Sequence, residues 1–155
     1  MRNILIHAMV LLMVLPAASR VQAQNASVSD IMESTLSKLR ASSDAGRITE
    51  KTYSDIFFKD DTTRRNCIFS YRFSASNTYR INAFALSEQV SNIDAVLYQK
   101  DGSGNWTVVG KNSGSGNDVN FRFTPRTSGF YSFVIRGTLR GGINNALFNL
   151  IIERE

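Results

Sequence analysis

Large apolar residues recur at every second position in four stretches of this chain, and that periodicity constrains its fold more than any other feature. Cys67, Phe69, Tyr71 and Phe73 form one set. Val119, Phe121 and Phe123 alternate with Asn120, Arg122 and Thr124. Tyr131, Phe133 and Ile135 form a third set, and Phe148, Leu150 and Ile152 a fourth. A period of two places each set on one face of a strand, so each stretch predicts a strand with one side against a core. Less regular strands are predicted over Tyr53 to Phe58, Tyr79 to Leu86, Ile93 to Gln99 and Trp106 to Val109. The total is about eight strands.

Turn residues separate these strands. Asp101-Gly102-Ser103-Gly104-Asn105 reads as a tight hairpin, Asn112 to Asn117 and Gly141 to Asn145 as loops, and Pro125 to Gly129 as a turn. No helical pattern alternates with the strands, which disfavours a parallel α/β sheet. The expected fold is all-β: an antiparallel sandwich with one N-terminal amphipathic helix. Its core is expected to include Phe69, Tyr71, Phe73, Leu97, Phe121, Phe123, Tyr131, Phe133, Ile135, Phe148, Leu150 and Ile152.

The aromatic residues (one Trp, five Tyr, ten Phe) all fall between Tyr53 and Phe148. Ahead of them, Val28, Ile31, Met32, Thr35, Leu36 and Leu39 share one face of a predicted helix. Ser27 and Asp30 suggest its capping box, and Ala45-Gly46 ends it. Such a helix is marginal alone in water, so its apolar face must dock on something. The body of the same chain and a partner both fit.

Earlier still, Arg2 precedes a largely apolar run from Ile4 to Leu15, and Val21-Gln22-Ala23 suits a signal peptidase. The run is shorter than the roughly 20 residues a membrane span needs. The expected organisation is a signal peptide over 1–23, a helix over 24–46 and a sandwich domain over 47–155. The destination is secreted or periplasmic, without stable membrane insertion.

This cut discards the sole histidine, His7, and leaves one cysteine, Cys67. A Ser-His-Asp triad, a Cys-His pair and a histidine-ligated metal are thereby excluded. A lone Cys67 inside a strand reads as a small buried hydrophobe. The formal charge of +5 for the whole chain falls when Arg2 and Arg20 leave. Arg64-Arg65 is the lone basic pair, so nucleic acid is not an expected partner. Asp60 and Asp61 would point to opposite faces of a strand and do not make a catalytic pair.

The body resembles the bacterial pre-peptidase C-terminal domain. The resemblance rests on Tyr71-Arg72-Phe73, Tyr79 to Ala83, and Ile93-Asp94-Ala95-Val96-Leu97-Tyr98-Gln99-Lys100-Asp101-Gly102. It continues through Val119 to Phe123, Pro125 and Gly129-Phe130-Tyr131. It implies a jelly-roll-like β-sandwich, found in secreted bacterial proteins as an accessory module. Some members of that family bind calcium, and some bind fibrous protein or polysaccharide. The N-terminal helix departs from the pattern, and little chain is expected to be left over for a catalytic domain beside the sandwich.

Two candidate sites follow. Asp94, Asp101 and Asp118 are expected near one edge and could hold calcium, which takes oxygen ligands. No other cofactor is expected. Each of the three also has a plain structural role available, as turn former, loop cap or backbone acceptor. Trp106 and Tyr98 could form a recognition face for a sugar ring or a peptide, although Trp106 could instead cover one end of the core. The expectation is a non-catalytic protein that binds a protein or polysaccharide surface. The alternative is a regulator or accessory subunit held to an exported enzyme by its N-terminal helix. Nothing in the chain sets an oligomeric state.

Overall fold

The protein is described by a computed structural model over residues 28–58, 66–113 and 116–155. The expected signal peptide, Ser27 of the capping box, Asp60, Asp61 and Arg64-Arg65 lie outside the described residues.

Eight strands form two four-stranded sheets. They are β1 (Ile48–Phe58), β2 (Asn66–Phe73), β3 (Tyr79–Ala85), β4 (Val90–Lys100), β5 (Trp106–Ser113), β6 (Asp118–Phe123), β7 (Gly129–Leu139) and β8 (Asn145–Arg154). Sheet A has the order β1-β8-β3-β6 and sheet B the order β2-β7-β4-β5, and every pairing is antiparallel. This is the strand order of an eight-stranded jelly roll. The β4–β5 hairpin is its tip. Behind it β3 pairs with β6, β2 with β7 and β1 with β8, as in one long ribbon rolled on itself.

The alternating sets point inward as their period dictates. Phe73, Leu97, Tyr131, Phe133, Ile135, Phe148, Leu150 and Ile152 are fully buried, and Phe69, Tyr71, Phe121 and Phe123 pack against them half-buried. Phe73 is a hub, with its ring 4.6 Å from Tyr79 and 5.4 Å from both Phe123 and Tyr131. Such offset and edge-on pairs add about 0.5–1.5 kcal/mol each beyond the area they bury. Tyr131 brings its hydroxyl inside but stays satisfied, donating to the Thr127 carbonyl at 2.6 Å. Cys67 is buried as well, and desolvation lifts its thiol pKa to about 12.

Strand boundaries differ from the sequence reading most at β1 and β5. Strand β1 begins at Ile48, because Ile48 to Thr52 continue the ladder with β8 across a bulge. Strand β5 runs through Asn112 and Ser113, which the turn chemistry had assigned to a loop. Ladder pairing with Ala95 and Asp94 on β4 overrides their local preference.

Helix α1 covers residues 28–44 of the described chain. Gly46, at φ +69°, ends it, and the Arg47 amide returns to the Ser42 carbonyl. The helix lies on the outer face of sheet A, where Ile31 is buried with Phe84 and Ile151, beside Leu39, Leu86 and Leu147. Its inward stripe is not the expected one. Ile31, Thr35 and Leu39 face the sheet, but Val28, Met32 and Leu36 remain exposed, and Ser42 is fully buried in their stead. The reason lies in the sheet, whose outer face is partly polar. Asn149 donates to Thr35 Oγ1 at 2.5 Å and accepts from Ser54. Lys38 pairs with Asp118 and sits 4.7 Å from the centre of the Phe84 ring. Among the described residues no helix is long and apolar enough to cross a membrane.

Candidate binding face

Among the described residues α1 packs on the outer face of sheet A, and no element packs on the outer face of sheet B. Its rows follow from the register. Ile68 on β2, Val134 on β7, Val96 on β4 and Lys111 on β5 stand in one row. Ser70, Ser132, Tyr98 and Val108 stand in the next. Two residues further along, Arg72 is opposite Phe130 and Lys100 is opposite Trp106. These are the alternate positions to the core sets, so the same pleat that buries Phe133 turns Phe130 and Val134 outward.

Several of these residues are large and apolar yet remain in water. Phe130 is 70% exposed, Ile68 67%, Val108 54% and Trp106 52%. Burying one such side chain is worth roughly 1.5–3 kcal/mol, so each one left exposed forgoes that stabilisation. The register sets Phe130 and Trp106 two strands apart in one row, Val108 beside Trp106 on β5, and Ile68 two rows away on β2. Tyr98 lies directly across from Val108 and diagonal to Trp106, within reach of a long side chain. The two residues expected to form a recognition face therefore share one surface. Lys100 Nζ lies 5.2 Å from the centre of the Trp106 ring. A bulge between Leu97 and Tyr98 sets the register that aligns them.

A cleft of about 280 Å³ adjoins this face at the β5 edge, lined by Gln99, Val108, Val109, Phe123, Thr124, Arg126 and Tyr131. Gln99 donates to Thr127 Oγ1 at 2.6 Å at its rim.

Phe130, Val108 and Ile68 complete the surface, and the sequence reading did not single them out. Their signal was present as apolar residues at positions where a half-buried strand should be polar. Ile68 stands between Cys67 and Phe69, and Phe130 precedes Tyr131 out of phase with its set.

The three aspartates expected to gather for calcium do not share a site. Asp94 is on the outer face of sheet B, in register with Arg136 and Ser113. Asp101 terminates β4, roughly 20 Å further along at about 3.3 Å per residue. There it shapes the hairpin by accepting the Ser103 and Asn105 amides, each at 2.9 Å. These bonds, the one from Asn105 foremost, hold its carboxyl below the usual range. Asp118 belongs to the other sheet and is paired with Lys38 of α1. The rolled ribbon puts Asp94 and Asp118 on opposite outer faces. Among the described residues no group of three or more His, Cys, Asp or Glu side chains converges.

No protein-family model matches the chain, and no curated protein matches it. Several solved structures are similar to it in part. One is the periplasmic inhibitor of g-type lysozyme from Aeromonas hydrophila, 12% identical, covering 70% of this chain and 88% of that one, with a TM-score of 0.48. Another is the pre-peptidase C-terminal domain of a Bacillus anthracis collagenase, 14% identical, covering 68% and 89%, with a TM-score of 0.45. A CBM4 protein is 12% identical, covering 71% and 79%, with a TM-score of 0.44.

Proposed function

We propose that this is an exported, non-catalytic binding module that uses the outer face of sheet B to dock on a protein or polysaccharide surface in the cell envelope or outside the cell. One observation carries the reading. The sandwich has two outer faces, and α1 covers one while the other presents Trp106, Phe130, Val108 and Ile68 to solvent. Export rests on the apolar run from Ile4 to Leu15 and the Val21-Gln22-Ala23 sequence after it. The test is retention of the purified protein on envelope and extracellular polysaccharide fractions. A Trp106→Ala/Phe130→Ala variant should melt like the parent yet lose retention. A variant that folds and is retained as well as the parent would sink the reading.

The regulator reading keeps a narrower footing. The stripe of α1 that carries Ile31 and Leu39 is occupied by sheet A, which leaves Val28, Met32 and Leu36 as apolar surface for an enzyme. Deleting residues 24–45 separates the two readings. A helix that serves its own sheet leaves a body that melts lower, whereas a helix that serves a partner leaves a stable body that no longer co-purifies with it.

A further inference from the structure

The open face carries a charge pattern as well as an apolar one. Arg72 pairs in register with Phe130, and Lys100 with Trp106. Lys100 directly follows Gln99, whose partner on β7 is Tyr131, so it stands level with Phe130. One row therefore crosses the sheet as Arg72, Phe130, Lys100 and Trp106, a cation and a ring in strict alternation over β2, β7, β4 and β5. At about 4.8 Å between strands the row spans roughly 14 Å. Lys111 adds a cation in the row that contains Ile68. Among the described residues Arg72, Lys100 and Lys111 make no ion pair. The carboxylate that shares their face, Asp94, has Arg136 as its neighbour across the strands.

We infer that this row binds an acidic polysaccharide laid across the four strands. The inference rests on the binding-module reading above and names its ligand class. The Phe130 ring, and the side of the Trp106 ring away from Lys100 Nζ, offer flat apolar surface for the C–H face of a sugar. Each neighbouring cation meets a carboxylate or sulfate on that sugar or the next, with the Arg72 fork suited to two oxygens at once. Size favours an extended chain over a globular partner. Four strands by four rows measure about 14 Å by 20 Å between backbone centres, on the order of 300 Å². A standard protein–protein interface takes about 800 Å² from each partner.

The full chain is run in native gels containing polygalacturonate, chondroitin sulfate or neutral dextran, with poly-glutamate and oligothymidylate as competitors. Polygalacturonate or chondroitin sulfate should retard it, dextran should not, and the retardation should weaken as salt rises. Arg72→Ala/Lys100→Ala and Trp106→Ala/Phe130→Ala should each weaken binding by about tenfold or more. Neither pair should shift the melting midpoint, since all four side chains are exposed. Equal competition by poly-glutamate or oligothymidylate would show a general polyanion or nucleic-acid surface and overturn the inference. Retardation by dextran alone would overturn it while leaving the binding face in place. No retardation by any glycan would overturn it too, and envelope retention abolished by Trp106→Ala/Phe130→Ala would then point to a protein partner.

Discussion

The Phe57 ring on β1 fills the space beside Gly137 on β7, where a Cβ would come within 2.4 Å of Phe57 Cδ2. Phe57 also stacks on Phe148 with ring centres 4.3 Å apart, so it cannot retreat without breaking that pair. The two sheets close on each other because Gly137 has no side chain. Gly137→Ala should therefore destabilise the fold by about 1–3 kcal/mol, the usual cost of overpacking. Phe57→Ala should cost about 3–5 kcal/mol by leaving a cavity. The double variant should lose less than the sum, since the two residues compete for one space. Urea denaturation of the three variants measures this, and an unchanged midpoint for Gly137→Ala would contradict the close approach.

Just after α1, Arg47 Nε meets Glu153 Oε2 at 3.0 Å, with the Glu153 side chain 2% exposed. This pair ties the helix terminus to β8. Arg47→Ala would strand a buried carboxylate, and the expected loss is about 3–5 kcal/mol. Glu153→Gln with Arg47→Ala should be less harmful than Arg47→Ala alone, because the orphaned charge is gone. A double-mutant cycle in urea reads the difference.

The thiol of Cys67 rises from its ordinary 9.0 to about 12 in the fold, through desolvation first and then the nearby Asp55 carboxylate. Below pH 9 the folded and unfolded chains both keep the proton, and the contribution to stability is fully present. Between 9 and about 12 only the unfolded thiol ionises, so stability falls by up to about 1.4 kcal/mol per pH unit. Tyr71, raised to about 12 by burial and by Glu50, acts in the same direction from its ordinary 10.0 upward. Cys67→Ala should flatten the alkaline limb of the melting curve. The native thiol should also resist an aromatic disulfide reagent until the protein unfolds, and fast labelling of the folded protein would contradict its burial.

The docking of α1 rests on one apolar and one polar contact that can be separated. Ile31→Ala should cost about 2 kcal/mol or more by opening a gap against Phe84 and Ile151. Thr35→Val removes the acceptor for the Asn149 amide and should cost about 1–3 kcal/mol. Met32→Ala, at an exposed position, should change the melting midpoint little. Equal losses at Met32 and Ile31 would mean that the helix docks by the stripe first read from its periodicity.

Glu155 contributes to the acid limb. Desolvation would raise its pKa, but hydrogen bonds and attraction from Arg122 and Arg80 outweigh it and hold the carboxyl below its ordinary 4.5. The unfolded chain therefore takes up a proton first as pH falls. The contribution is present above 4.5 and is lost as pH drops through the depressed folded value. Arg122→Ala should move the acid midpoint upward, and an unmoved midpoint would remove Glu155 from acid stability.

Much of this protein was legible in local order along the chain. All eight strands were: four because a half-buried strand repeats every two residues whatever it pairs with, and four as less regular runs bounded by turn residues. The helix end at Gly46 and the Asp101 turn were legible for the same reason, since both answer to neighbours a few residues away. Trp106 and Tyr98 could be singled out as large rings near a turn. What pairing decides was not legible. Tyr98 and Trp106 share a face because a bulge sets the β4–β5 register, and Phe130 joins them because β7 pairs with β4. Asp94, Asp101 and Asp118 are close in sequence pattern but are carried to separate places by the rolled ribbon. The stripe of α1 that turns inward was set by Asn149, Asp118 and Ile151 on the sheet beneath it. The sequence by itself determined an all-β sandwich with a helix ahead of it. Only the tertiary structure decided which sheet the helix packs on, and hence which outer face it leaves uncovered, because that choice depends on contacts between residues about a hundred positions apart, as between Thr35 and Asn149.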